Sequence, residues 1–107
     1  MRYEFLPVRL LNSAHDLTNI GVREFAWEFS VALEVLRVAV LCGYLILGGD
    51  VYRLNRTTGL ASSTGDSWYA DQNTLSVGVI ESAGVAERYI RMYHDRNGDG
   101  FIFSFVF

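Results

Sequence analysis

The sequence predicts an α+β fold: a single small domain over residues 1–107, with a sheet of about three to five strands and two main helices packed on it. Two segments predict the helices, because apolar residues recur in each at steps of three and four residues and so share one helix face. These segments run from Phe29 to Val40 and from Val79 to Tyr93. The third observation is Phe101–Phe107, where every second residue is Phe, which is the alternation of a strand.

The limits of the first helix and of the strand after it follow from single residues. Ser30 is expected to be the N-cap, since its hydroxyl can accept hydrogen bonds from the free amides of the first turn. Gly43 is expected to end the helix in the left-handed conformation. The next run, Tyr44–Leu47, is apolar throughout and predicts a strand buried on both faces. Gly48-Gly49 is then expected to interrupt that strand, as at a bulge or a close backbone approach.

Three further segments and the position of the last strand complete the predicted order of elements. Val22–Trp27 predicts a short strand, and Asp95–Gly100 predicts a turn. Thr57–Ser67 predicts a loop, because nine of its eleven residues are Thr, Ser, Gly or Asp. The last strand, Phe101–Phe107, is apolar on both faces, so it is expected inside the sheet with the helices over its Phe face.

The composition excludes several classes of protein. Nine arginines and no lysine stand against twelve acidic residues, which argues against a nucleic-acid binder with a clustered basic face. The longest uncharged apolar stretch, Val38–Gly49, has twelve residues, whereas a membrane-spanning helix needs roughly 20. Glu4 and Pro7 interrupt the start of the chain where a signal peptide would be apolar. The lone Cys42 excludes an internal disulfide. We therefore expect a cytoplasmic protein that binds neither nucleic acid nor membrane.

The turn near the end of the chain is the main candidate for chemistry. Asp95, Asn97 and Asp99 match the first oxygen ligands of a calcium loop, but Val106 stands where the closing bidentate Glu is required. A simple turn is therefore the favoured interpretation, and no metal or cofactor is expected. Neither His15 nor His94 lies in a nucleophile motif, so the chain is not expected to be an enzyme. A small ligand-binding or metal-binding domain, or an enzyme, that uses His94, Asp95 and Asp99 stays open as the alternative.

The segment Asp66–Asp71 places Trp68 and Tyr69 between two acidic residues. Aromatic rings bury a large area at low entropic cost and carboxylates select a basic partner, which is typical of a protein interface. In the other interpretation the two rings fold back over the sheet while the acids cap the next helix. Both interpretations stay open, and each can hold for different residues.

Four stretches of the chain resemble the immunity protein 40 family of bacterial toxin–immunity systems. They are Ile20–Trp27, Ile46–Tyr52 with its Gly-Gly-Asp-Val-Tyr run, Ser67–Tyr69 and Tyr89-Ile90, within a match over residues 19–93. The chain departs from the family pattern in its Ser/Thr-rich spacer and in Ser67, where an Asn is expected.

The resemblance implies a non-enzymatic protein that binds and neutralises a cognate toxin C-terminal domain by covering it. A nuclease of the contact-dependent inhibition or polymorphic type fits the acidic balance, because a basic cleft would attract an acidic inhibitor. We expect a monomer or a weak homo-oligomer. The residues expected to bind the partner are Asp66, Trp68, Tyr69 and Asp71, with Asp50 as a fifth.

Overall fold

The computed structural model describes residues 3–107, apart from the side chain of Leu75. Within that range a five-stranded antiparallel sheet in the order β1-β2-β5-β3-β4 carries helices on one face, which confirms the α+β fold. The strands are β1 (His15–Asp16), β2 (Phe25–Glu28), β3 (Gly48–Leu54), β4 (Ala61–Tyr69) and β5 (Phe101–Val106). The helices are α1 (Val8–Asn12), α2 (Phe29–Leu41), α3 (Gln72–Val77) and α4 (Val79–Asn97), with a 3₁₀ turn at Thr18–Ile20.

The last strand in the chain, β5, is the middle strand of the sheet. It pairs with β2 on one side and β3 on the other, so that Phe103 lies opposite both Trp27 and Val51. Phe103 and Phe105 are buried against the helical layer, where the longer helices α2 and α4 pack on each other. The prediction of an interior strand with its Phe face beneath two helices is confirmed.

The opposite side of the sheet is covered only in part. Leu17, beside the 3₁₀ turn, packs with Tyr52 and Ile102 in a second, smaller apolar cluster. The rest of this side has no helix among the residues that the structure describes. We call this side of β3, β4 and β5 the helix-free face; it carries Gly48, Asp50, Tyr52, Ser67, Tyr69 and Ser104.

The predicted strand at Tyr44–Leu47 is wrong. These residues form an extended connection in which only Ile46 is buried, held by single hydrogen bonds such as Ile46 N to Ser82 Oγ at 3.0 Å. Strand β3 begins at Gly48, so Gly48-Gly49 opens a strand and does not interrupt one. The close backbone approach expected there is present, because a Cβ on Gly49 would collide with the Ser104 carbonyl and the Trp68 ring.

The predicted loop at Thr57–Ser67 is also wrong beyond Leu60. Residues from Ala61 onward form β4, an edge strand in which Ser62 and Ser63 are exposed to water and Thr64 and Ser67 are half-buried. Polar residues suit such a strand because only part of its surface meets the core. The Ser, Thr, Gly and Asp residues that are typical of a loop therefore also occur in this strand.

Three helix and strand limits differ from the prediction. Glu28, and not Ser30, is the N-cap of α2, and it makes no side-chain capping bond. Helix α4 continues to Asn97, so the turn before β5 begins only at Gly98. Strand β2 covers Phe25–Glu28 in place of Val22–Trp27. None of the helices in residues 3–107 has the length and hydropathy needed to cross a bilayer.

Candidate partner-binding surface

The five residues expected to bind a partner lie on different sides of the sheet. Asp66 and Trp68 alternate in β4 with Ser67 and Tyr69, so the two pairs face opposite ways. Trp68 faces the helices, whereas Tyr69 and Asp50 lie on the helix-free face. Asp71 follows the strand, at the start of α3. The structure therefore divides the predicted set and does not bring it together at one point.

Trp68 is part of the core. Its side chain is only 5% exposed, and its ring stacks on Tyr89 of α4 with centroids 5.0 Å apart. It meets Phe105 edge to face at 5.9 Å, over Gly49, whose missing side chain leaves room for the indole. The interpretation in which Trp68 covers the sheet thus fits, and an exposed anchor at this position does not.

Asp66 lies at a bulge of the edge strand. The register of β3 and β4 shifts between Asp50 and Tyr52, where Gly65 takes a φ of 80° that favours glycine. Thr64 holds the bulge, since its Oγ1 donates to the Val51 carbonyl at 2.7 Å and accepts from the Asp66 amide at 3.1 Å. The bulge presents Asp66 to α4, where Tyr93 donates to its Oδ2 at 2.8 Å. The carboxylate is anchored on one side and exposed to water on the other.

Asp71 caps helix α3. Its Oδ1 accepts a hydrogen bond from the Thr74 amide at 2.7 Å, and this bond lowers the pKa of the Asp71 carboxyl. The interpretation in which an acid beside Trp68 and Tyr69 caps the next helix therefore fits Asp71. The side chain is nevertheless exposed, so its negative charge also faces solvent.

Tyr69 and Asp50 are the two members of the set on the helix-free face. Tyr69 is 79% exposed, and its ring lies beside Gly48, where a Cβ would come within 3.3 Å of Tyr69 Cδ1. Asp50 is half-buried between Ser67 of β4 and Ser104 of β5. Burial raises the pKa of the Asp50 carboxyl, and the negative charge of Glu24 raises it further.

The alternative site at the end of α4 is not assembled. His94 stacks on Phe29, with centroids 3.9 Å apart and planes 7° apart, and its Nδ1 is 3.9 Å from Asp99 Oδ1. Because Asp95 and Asn97 belong to helix α4, they cannot follow the loop path that a calcium loop requires. Among the described residues no three His, Cys, Asp or Glu side chains are grouped as metal ligands.

Apolar residues outside the predicted set are also exposed. Leu41 at the end of α2 is 85% exposed and borders a groove between α2 and α4, together with Val40 and Ala83. Ile80 is 71% exposed and borders a second groove between α3 and α4. Ile80 could have been noticed in the sequence, because it is an apolar residue outside the apolar stripe of its helix.

The comparisons with known proteins give one match. The family model described as Immunity protein 40 matches residues 16–107, which includes strands β2 to β5 and helices α2 to α4. No curated protein and no solved structure matches the chain significantly.

Proposed function

Because the chain belongs to the immunity protein 40 family, we propose that it binds and neutralises a cognate toxin domain by covering part of that domain's surface. The match over residues 16–107 is the observation that carries this proposal. We further propose that the chain itself catalyses no reaction and acts in the cytoplasm. The target is the C-terminal domain of a secreted toxin of the polymorphic or contact-dependent type.

The charge of the chain supports a toxin with a basic surface, such as a nuclease. The formal net charge is −3, and the carboxylates of Asp66 and Asp71 are exposed near the same edge of the sheet. Negative charges around an inhibitor accelerate its encounter with a basic cleft and can occupy the phosphate-binding surface. A toxin must be held until it is degraded, so we expect a Kd below about 1 nM, or about 12 kcal/mol of binding free energy.

We expect a secreted toxin to be encoded immediately upstream of this chain, and the C-terminal domain of that toxin tests the proposal. We expect the two purified proteins to form a stoichiometric complex by calorimetry and the chain to protect cells that express the toxin domain. The proposal would be contradicted if no complex forms, or if the isolated chain chemically modifies or cleaves the toxin domain.

The contribution of charge is measured separately by stopped-flow association. Asp66→Asn with Asp71→Asn removes two charges but keeps a hydrogen-bond acceptor at each position, and Asn caps helices as well as Asp. We expect slower association with a weaker dependence on salt. The double variant Asp95→Asn with Asp99→Asn is the control, because it changes the net charge equally at another site. Equal association rates for the two double variants would show that Asp66 and Asp71 have no special role in attracting the toxin.

A further inference from the structure

We propose that the toxin domain docks on the helix-free face of the sheet, where an arginine or lysine of the toxin pairs with Asp50 and an apolar part of the toxin packs on Tyr69. This inference rests on the proposed function and specifies the face that performs it. The grooves beside α2, α3 and α4 are the other candidate docking surfaces.

On the helix-free face, Asp50 has neighbours with small side chains on both adjacent strands. The strand register places Asp50 between Ser67 and Ser104, both of which have small side chains, and Gly48 beside Tyr69 has none. Ser104 is fully buried, but Asp50 and Ser67 are only half-buried, so a long side chain from a partner can reach the Asp50 carboxylate from the β4 side. On the same face Tyr69 is exposed, whereas Tyr52 is buried and packs with Ile102.

Among residues 3–107, Asp50 is a half-buried carboxylate that has neither a hydrogen-bond donor nor a cation beside it. Most other acidic groups in the described range are paired or hydrogen-bonded: Glu28 with Arg56 and His15, Glu34 with Arg9, Glu87 with Arg91. Asp66 and Asp71 accept hydrogen bonds as described above. Within residues 3–107, no hydrogen bond or ion pair reaches the carboxylate of Asp50, although it is half-buried.

A half-buried carboxylate without a partner reduces the stability of the free protein. The Glu24 charge adds to this effect, and burial raises the pKa of Asp50 in the same direction. A cation from the toxin would restore the lost solvation and neutralise this negative region, so the face is complementary to a basic surface. Binding would then offset the stability that the free protein loses through the unpaired Asp50 carboxylate.

Tyr69 supplies the apolar part of the same face. It is 79% exposed, which makes it the most exposed aromatic side chain in the described range, and its ring lies beside the buried Gly48. Tyrosine is enriched among the residues that dominate binding energy, because its ring buries a large area with few rotatable bonds. The exposed Ile80 and Leu41 of the helical layer have no unpaired half-buried carboxylate beside them.

The test measures binding to the upstream-encoded toxin domain and unfolding in urea for the same variants. Asp50→Asn should raise the Kd at least about 30-fold, the usual loss when one member of a desolvated charge pair is removed, without lowering the unfolding midpoint. Tyr69→Ala should raise the Kd at least about 10-fold with little change in unfolding. A residue with only a structural role would change binding and stability in the same direction, which distinguishes the two cases.

The matched controls lie on α4, on the other side of the sheet. Asp95→Asn removes an exposed carboxylate, and Ile80→Ala shortens an exposed apolar side chain. Both should leave the Kd within about twofold of the unmodified protein.

Three results would overturn the inference. If the unmodified protein binds the toxin domain but Asp50→Asn and Tyr69→Ala bind equally well, the helix-free face is wrong and the proposed function stands. If sedimentation shows self-association that Tyr69→Ala abolishes, the face belongs to a second copy of the chain. If the unmodified protein does not bind at all, the proposed function fails and this inference fails with it.

Discussion

The phenol of Tyr93 donates a 2.8 Å hydrogen bond to Oδ2 of Asp66, and this contact joins helix α4 to the bulge of edge strand β4. Tyr93 is buried, and burial together with the hydrogen bond raises the pKa of its hydroxyl. Because the acceptor is a carboxylate, the bond is of the charge-assisted kind. It fixes the position of Asp66, one of the exposed acids proposed to attract the toxin.

Replacing Tyr93 by Phe removes only the hydroxyl of this pair. We expect Tyr93→Phe to lower the free energy of unfolding by about 1 to 2 kcal/mol, since a hydrogen bond to a charged group is lost. Urea unfolding measures the change. Tyr69→Phe is the control, because its hydroxyl is on a ring that is 79% exposed and should contribute almost nothing. Equal losses in the two variants would show that the Asp66 contact does not stabilise the fold.

Trp68 is expected to be essential for stability. Trp68→Ala removes a ring that is 5% exposed and packed between Tyr89 and Phe105, so it should lower the free energy of unfolding by about 3 to 5 kcal/mol. Thermal unfolding followed by circular dichroism measures this loss. Tyr69→Ala, one residue further along the same strand, should change the stability by less than about 0.5 kcal/mol. A stable, fully folded Trp68→Ala variant would contradict the buried position.

Two glycines are expected to respond in opposite directions to the same substitution. Gly49→Ala should destabilise the protein strongly, because its methyl group would meet the backbone carbonyl of Ser104 and the Trp68 ring. Gly84→Ala, within α4, should stabilise it by about 0.5 to 1 kcal/mol, since alanine favours helices and the methyl meets only the flexible end of Arg88 at 3.3 Å. Unfolding midpoints of the two variants give the comparison. If the unfolding midpoints of both variants shift in the same direction, this prediction is wrong.

The charge on Asp50 is expected to make stability depend on pH. Its folded-state pKa lies above the ordinary value of 3.8, so the folded protein binds the proton more tightly than the unfolded chain. The stability of the unmodified protein should therefore fall, relative to Asp50→Asn, as the pH rises from 3.8 through the folded-state pKa. Urea unfolding should show Asp50→Asn to be more stable at pH 7 and similar below pH 3.8. Greater stability of the unmodified protein at pH 7 would indicate a partner for Asp50 in the free state.

The two long helices and the central strand could be predicted because each buries one face, so that apolar residues recur in the sequence at the spacing of a helix or a strand. In α4 the buried residues Ala83, Ala86 and Ile90 follow the helical repeat, and in β5 Phe103 and Phe105 follow the strand repeat. In Tyr44–Leu47 all four residues are apolar, so no alternation shows which side chains are buried. The run predicts a fully buried strand, but only Ile46 is buried. An apolar run of four residues can also be a connection that packs one side chain.

Neither the edge strand β4 nor the opposite orientations of Trp68 and Tyr69 on it could be predicted from the sequence, and the reason is the same. Strand β4 exposes Ser62, Ser63 and other small polar residues, which in a sequence are typical of a loop. If these residues are treated as a loop, neighbours such as Trp68 and Tyr69 are expected on one surface. In a strand they must face opposite ways, and this places one in the core and the other in solvent.

The central position of β5 also affects how the protein can be made. All of its partners in the sheet precede it in the chain, so the ribosome releases Phe101–Val106 after β2, β3 and β4 are already outside. Until then, β1 with β2 and β3 with β4 can form only as separate hairpin-like pairs, and the apolar side of each is left open to water. Nascent chains interrupted before Phe101 should therefore be substrates for chaperones and proteases, and protection from a toxin should begin only after this strand has been synthesised.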